Sequence, residues 1–225
     1  EGNMDGILVG CDEGQEWLLS WWWNNYREEN GLPVAFADFG MSRKAKKWCG
    51  ERGPLLAVAC EGLQVATKKE IEPSLRTEWE KALSPFWKSR QAWFKKPFAL
   101  LNTPFKRTVW LDLDCEVLGS LSPIFQYIDP ISQMGLVRAT DVVYNSGVIV
   151  YEKGSPLLTL WSRSALSQNH RFLSDQDALS QIILNEGYTV GAVPEIYNWL
   201  MCRGVHMGAV VFHWAAQGGK AYIRK

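Results

Sequence analysis

Short apolar runs alternate with longer stretches of helical period along the first part of the chain. Ile7-Leu8-Val9-Gly10-Cys11, then Asp12-Glu13-Gly14, then the run from Trp17 to Tyr26 predicts strand, turn and helix. Val34 to Phe36 predicts a second strand and Leu55 to Ala59 a third; between them Ser42 is placed to cap a solvated helix opening Arg43-Lys44-Ala45-Lys46-Lys47. This alternation implies an α/β fold with a parallel sheet. Residues 75–101 read as helical, aromatic and basic, with breaks at Pro85 and Pro97. Thr108-Val109-Trp110-Leu111-Asp112-Leu113-Asp114 reads as a strand running into two acids. Strands are predicted at Met134 to Ala139 and Gly147 to Tyr151, helices near 155–166 and 175–186, and short strands at Thr189 to Val193 and Ala209 to Phe212. Short, close-set late strands point to a mixed, mostly parallel sheet. No linker, repeat or biased tract divides the chain, so residues 1–225 are expected to form a single domain.

Composition narrows the function. With 47% hydrophobic and 21% charged residues the 225-residue chain is ordinary globular protein, not a disordered one. Lys plus Arg and Asp plus Glu both number 24, and a zero balance argues against a whole-surface nucleic-acid binder. No apolar run reaches the roughly 20 residues that span a bilayer, and residues 1–20 lack a signal-peptide pattern. The chain opens at Glu1, as a piece of a longer protein would. Five scattered cysteines without a C-x-x-C pair speak against a disulfide framework or zinc site and for a reducing compartment. A cytoplasmic location, with peripheral membrane attachment as an option, is therefore expected. Twelve tryptophans suit core filling first, and stacking on sugar or base rings second.

The sharpest chemical feature is Asp112-Leu113-Asp114. Residues two apart in a strand share a face, so both carboxylates are expected to converge at the strand's C-terminal end, where open α/β sheets bind ligands. Flanked by Val109, Trp110, Leu111 and Val117, two such anions need a shared proton or a cation, and a hard divalent ion open to phosphate oxygens resolves the conflict. The pattern recurs at Asp175-Gln176-Asp177, where Asp177 is explained as the third residue of a helix capped by Ser174. Asp175 and Gln176 are not needed by that cap and are free for a site. Asn145-Ser146-Gly147 reads as a turn entering a strand, although its Asn can present an amide to a sugar hydroxyl. His213 ends the apolar run Val210-Val211-Phe212; it is a structural residue or the ligand that completes an Asp–Asp metal site. Lys220, behind Gly218-Gly219, is a solvated tail lysine or a diphosphate contact, and His170 and His206 read as structural.

In order, these segments resemble a glycosyltransferase of the GT-A fold, in particular glycosyltransferase family 8, to which glycogenin and the bacterial lipopolysaccharide galactosyltransferases belong. Ile7 to Asp12 looks like the family's first strand, with Gly10 and Asp12 on uridine-contact positions. Lys95-Lys96-Pro97-Phe98-Ala99-Leu100, Pro104-Phe105-Lys106-Arg107 and Trp110 to Asp114 resemble the basic helix and D-x-D strand that grip diphosphate and metal, with Lys95 as the matching basic position. Asn145-Ser146-Gly147-Val148 is similar to the N-S-G segment near the donor sugar, Asp175-Gln176-Asp177 to the D-Q-D segment beside the reacting carbon, and Tyr197-Asn198-Trp199 to a Y-N-W/F element. His213 corresponds to the third metal ligand. Two departures stand out: Lys220 lies seven rather than six residues after that His and is followed by Ala-Tyr rather than Pro-Trp, and Glu13-Gly14-Gln15 replaces the usual Asn/Tyr pattern.

The resemblance implies a single GT-A domain, with a nucleotide-binding part over about 1–118 and a donor-sugar and acceptor part over about 119–225. It implies transfer from a nucleotide-diphosphate sugar, UDP-linked, with Mn2+ or Mg2+ held by Asp112, Asp114 and His213. Retention at the anomeric carbon follows, with Asp175 and Gln176 stabilising an oxocarbenium-like centre or positioning the acceptor. An inverting enzyme would instead use Asp175 as base. The acceptor (carbohydrate, lipid-linked or protein) and a homodimer stay open. A haloacid-dehalogenase-like phosphatase also uses D-x-D after an apolar strand; here the motif sits mid-chain, Cys115-Glu116-Val117 follows it, and no later Asp-Asp pair exists. A nucleotidyltransferase would carry an Arg in the loop after the first strand, and Gly10-Cys11-Asp12-Glu13-Gly14 has none. A non-catalytic, Trp-rich carbohydrate-binding domain would need no acids and His at three strand ends.

Overall fold

A computed structural model describes residues 4–83 and 86–225. The expected break at Pro85 lies outside the described residues. The chain runs β1 (Asp5–Cys11), α1 (Leu19–Glu29), β2 (Val34–Asp38), α2 (Arg43–Gly50), β3 (Leu55–Ala57), α3 (Pro73–Ala82), α4 (Ser89–Trp93), α5 (Lys96–Leu101), β4 (Arg107–Leu111) and β5 (Cys115–Val117). It continues with β6 (Met134–Thr140), β7 (Val143–Glu152), α6 (Pro156–Gln168), α7 (Asp175–Glu186), β8 (Gly191–Ala192), β9 (Trp199–Leu200), β10 (Val211–His213) and α8 (Ala216–Ile223).

Seven strands form the central sheet in the order β3-β2-β1-β4-β7-β6-β8, and β5, β10 and β9 form a small second sheet. Only β7 runs antiparallel to its neighbours in the large sheet, so it is mixed and mostly parallel, as the short late strands imply. The central parallel strands β1, β2 and β4 are buried on both faces, which is why they read as unbroken apolar runs. Ile7, Val9 and Leu111 pack with Leu18, Trp22 and Tyr26 on one side. Leu8, Trp110 and Ile149 pack with Leu158, Trp161 and Leu179 on the other. Each fully buried Leu, Ile or Val in these layers contributes roughly 1.5–3 kcal/mol.

Helix boundaries follow local chemistry. Ser42 caps α2 by accepting from the Ala45 N–H, and Ser174 with Asp177 forms a reciprocal capping box on α7. The 75–101 stretch lies in three helices, α3 to α5. Pro97 sits in the first turn of α5, where its missing N–H costs nothing, so it starts a helix instead of breaking one. Arg90 explains much of the rest. The residue is 1% exposed, and its guanidinium donates to the carbonyls of Ala66, Asn169, Phe172 and Leu173. Burial pulls its pKa down to about 10, while the rings of Trp79, Trp87 and Phe94 flank the charge. Arg90 thereby ties the segment 169–173, and the α7 cap that follows it, to the helical layer.

Candidate active site

The order of the sheet reverses at β1, with β2 on one side and β4 on the other, which makes the C-terminal ends of β1 and β4 the place where open α/β sheets form a ligand crevice. Gly10 stands at this mouth: a side chain there would meet Ala37 Cβ at 2.8 Å and the Ala37 carbonyl at 2.9 Å. Asp12 Oδ1 accepts from the Gln15 N–H at 3.1 Å and shapes the turn after β1.

Strand β4 ends at Leu111, before the acids. The expectation that Asp112 and Asp114 share a strand face is therefore corrected. A turn closed by the Cys115 N–H on the Asp112 carbonyl, 3.0 Å, carries them in separate directions. Asp112 Oδ1 accepts from Trp110 Nε1 at 2.8 Å and faces Lys96 Nζ at 3.0 Å. Asp114 instead meets His213 Nε2 at 3.2 Å and Lys220 Nζ at 2.8 Å. Two clusters result, one on each side of the turn.

The first cluster centres on Lys96, which bonds Asp112, Asp175 Oδ2 at 3.2 Å, and the Ser146 carbonyl and hydroxyl. Ser146 Oγ donates to Asp175 Oδ2 at 3.0 Å, and the Ser146 N–H to Gln176 Oε1 at 3.1 Å. Burial works against the Lys96 ammonium, but the two carboxylates outweigh it and raise its pKa. Asp175 is raised by burial, with Asp112 adding repulsion and Lys96 opposing both. The second cluster shows the opposite balance: burial would raise Asp114, yet the charge and hydrogen bonds of His213 and Lys220 hold its carboxyl well below the usual range.

The segment 145–147 joins the clusters. It is part of β7 and not the turn its sequence suggests. Register with β6 jumps from the pair Leu136 and Ile149 to the pair Val137 and Asn145, so β7 bulges there and turns toward the crevice. Asn145 Oδ1 accepts from the Gly147 N–H at 2.9 Å and from Asn198 Nδ2 at 2.7 Å. Asn198 Oδ1 lies 2.9 Å from His213 Nδ1. Gly147 has to be glycine: an added Cβ would stand 2.3 Å from the ring carbon Cε1 of His213.

Among the described residues, Asp114, Cys115 and His213 are the group whose ligand atoms all lie within 4.8 Å of one another, and Asp112 is outside it. Cis ligands of an octahedral ion with ~2.1 Å bonds stand ~3.0 Å apart, and the 3.2 Å between Asp114 Oδ1 and His213 Nε2 is close to that spacing. Burial, with Asp114 and Asp112 nearby, pushes the Cys115 thiol well up, and a protonated thiol is a poor ligand. The carboxylate–imidazole pair therefore suits a hard cation better than the thiol does.

Of the basic residues named from sequence, Lys95 donates to the Phe39 carbonyl at 3.1 Å, beyond the end of β2, and its neighbour Lys96 reaches the acids. Helix phase separates them. Lys96 shares the buried face of α5 with Ala99 and Leu100, whereas Lys95 is the residue before the helix. Lys220 arrives on α8, a helix absent from the sequence reading. Gly219 lets that helix press on the Trp214 carbonyl, which a Cβ would approach to 2.2 Å. His206 packs against Trp199 with the two rings tilted by 47°.

No protein-family model matches the sequence, and no curated protein does. Solved structures do match. Mouse xyloside xylosyltransferase 1 superposes at TM-score 0.61 with 14% identity, covering 93% of this chain and 97% of that one. The galactosyltransferase LgtC, in complex with donor and acceptor sugar analogues, gives 0.59 and 15%, covering 98% and 94%. The glycosyltransferase GlyE of Streptococcus pneumoniae gives 0.65 and 12%, covering 96% and 55%. The fold is thus the GT-A fold of glycosyltransferases.

Proposed function

We propose that this protein is a metal-dependent glycosyltransferase that moves a sugar from a UDP-sugar to an acceptor hydroxyl with retention of anomeric configuration. The observation that carries this reading is the buried Asp114–His213 pair, set beside two lysines at the switch point of a GT-A sheet. Asp112, Asp114 and Asp175 outnumber Lys96 and Lys220 by one charge; a divalent ion reverses that sign and suits the site to a diphosphate. Asp114 and His213 would hold Mn2+ or Mg2+, and Asp112, whose Oδ1 faces Lys96 and Trp110 on the other side of the turn, would reach it only if its side chain moved. When bound, it supplies charge neutralisation for the departing diphosphate.

The chain's own residues do the rest. Gly10 and Asp12 bound the mouth where the uridine lies, on the 1–118 side, and Lys95 and Lys220 add positive charge for the phosphates. Asn145 keeps its NH2 for the donor sugar, since its Oδ1 is committed. Asp175 is held in place through Oδ2, which faces the Lys96 ammonium and accepts from the Ser146 hydroxyl. That favours electrostatic stabilisation of positive charge at the anomeric carbon. Gln176, its Oε1 on Ser146, has an NH2 to hold sugar or acceptor. No helix among the described residues is long and apolar enough to cross a membrane.

The test is release of UDP from a panel of UDP-sugars, followed with and without Mn2+. Metal-dependent release from at least one donor, abolished by EDTA and restored by added Mn2+, is expected. Release that ignores the chelator, or hydrolysis of p-nitrophenyl phosphate in its place, overturns the reading.

A further inference from the structure

We infer that Asn145 and Asn198 form an amide relay, anchored on the Gly147 backbone, that fixes the His213 ring with its proton on Nδ1 and its Nε2 lone pair aimed at the ion. The inference rests on the metal-dependent reading above and adds two positioning residues to it.

The Gly147 backbone supplies one fixed point. A backbone N–H can only donate, so the Asn145 atom 2.9 Å from the Gly147 nitrogen is the amide oxygen. An amide oxygen only accepts, so the Asn198 atom 2.7 Å from it is the NH2. The orientation of Asn198 is then settled, and the atom it turns to His213 Nδ1, at 2.9 Å, is its oxygen. An oxygen at that distance requires a hydrogen on Nδ1. With Nδ1 keeping its hydrogen, the one that Nε2 turns to Asp114 Oδ1 at 3.2 Å is the hydrogen an arriving ion displaces, and the Nε2 lone pair is then in the orientation a ligand needs.

Burial makes the relay hold. Asn198 is 2% exposed and Asn145 is 9% exposed, so water is a weak competitor and a reversed amide would set like groups against each other at both ends. The ring cannot slide away, because it packs on the bare Gly147 backbone. Asn145, resembling a donor-sugar residue, thus has a second task through its oxygen.

Binding of Mn2+ alone, with the free ion counted by its EPR signal, separates this relay from simple packing. Asn198→Leu keeps bulk and removes the acceptor for Nδ1–H; a 10–100-fold loss of Mn2+ affinity is expected. Asn145→Asp keeps an oxygen that accepts from both the Gly147 N–H and the Asn198 NH2, so it is expected to stay within about threefold of the parent protein. A loss in that variant as large as in Asn198→Leu overturns the relay. Unchanged Mn2+ binding by Asn198→Leu also overturns it, while leaving the metal reading intact. A parent protein that binds no Mn2+ overturns both. Two-bond 1H–15N spectra of the Mg2+-saturated parent protein need no variant to fold: a hydrogen on Nδ1 only is expected, a hydrogen on Nε2 only contradicts the relay, and hydrogens on both nitrogens contradict ligation itself.

Discussion

Asp114→Asn is expected to lower Mn2+-dependent UDP affinity at least 100-fold, about 2.7 kcal/mol or more, with the fold retained. The carboxylate is 6% exposed and gives one oxygen to His213 and the other to Lys220. The amide keeps the shape and one acceptor oxygen. It loses the negative charge that any divalent ion needs, so the loss falls on the metal-dependent part of binding. Titration calorimetry with UDP, in Mn2+ and in EDTA, measures that part as a difference. The native carboxyl is held well below its ordinary pKa. Its contribution to stability is therefore present above the unfolded pKa and lost as pH falls through the folded value. The variant lacks that acid limb.

Lys96→Met is expected to cost about 3–5 kcal/mol of stability at neutral pH, the range for removing one partner of a buried ion pair. Lys96 is 4% exposed and is the cation shared by Asp112 and Asp175. Without it, Asp175 is a buried carboxylate facing another. Burial already raises the Asp175 pKa with the lysine present, and removing the lysine raises it further. The native state then holds a proton that the unfolded chain releases, so stability declines as pH rises from the unfolded carboxylate pKa toward the folded one. Urea midpoints of parent and variant at pH 5 and pH 8 should differ more at pH 8. Equal differences at both values contradict the assignment of Lys96 as counter-charge to Asp175.

Much of this fold is legible in the sequence because its central strands are buried on both faces. Ile7 to Cys11 and Thr108 to Leu111 announce themselves as apolar runs, and α7 announces itself through Ser174 and Asp177. Where tertiary contacts decide, the sequence is silent. The strand before the acids makes its last ladder bond from the Asp112 N–H to the Gly147 carbonyl, far along the chain, and the Asp112 carbonyl then turns to the Cys115 N–H. The N-S-G segment looks like a turn from composition, yet the β4 ladder holds Gly147 and Val148 in β7. Choosing between Lys95 and Lys96 takes the phase of a six-residue helix whose start is one residue wide. Asn198 carries no signal of its own; its role exists only once Asn145 and His213 are brought beside it.

The most direct test is the position of the ion itself. Crystals grown with UDP and Mn2+, measured at the manganese absorption edge, should show an anomalous peak about 2.1–2.3 Å from both Asp114 Oδ1 and His213 Nε2. A peak elsewhere in the crevice, or ordered UDP with no peak between those two atoms, would contradict the account.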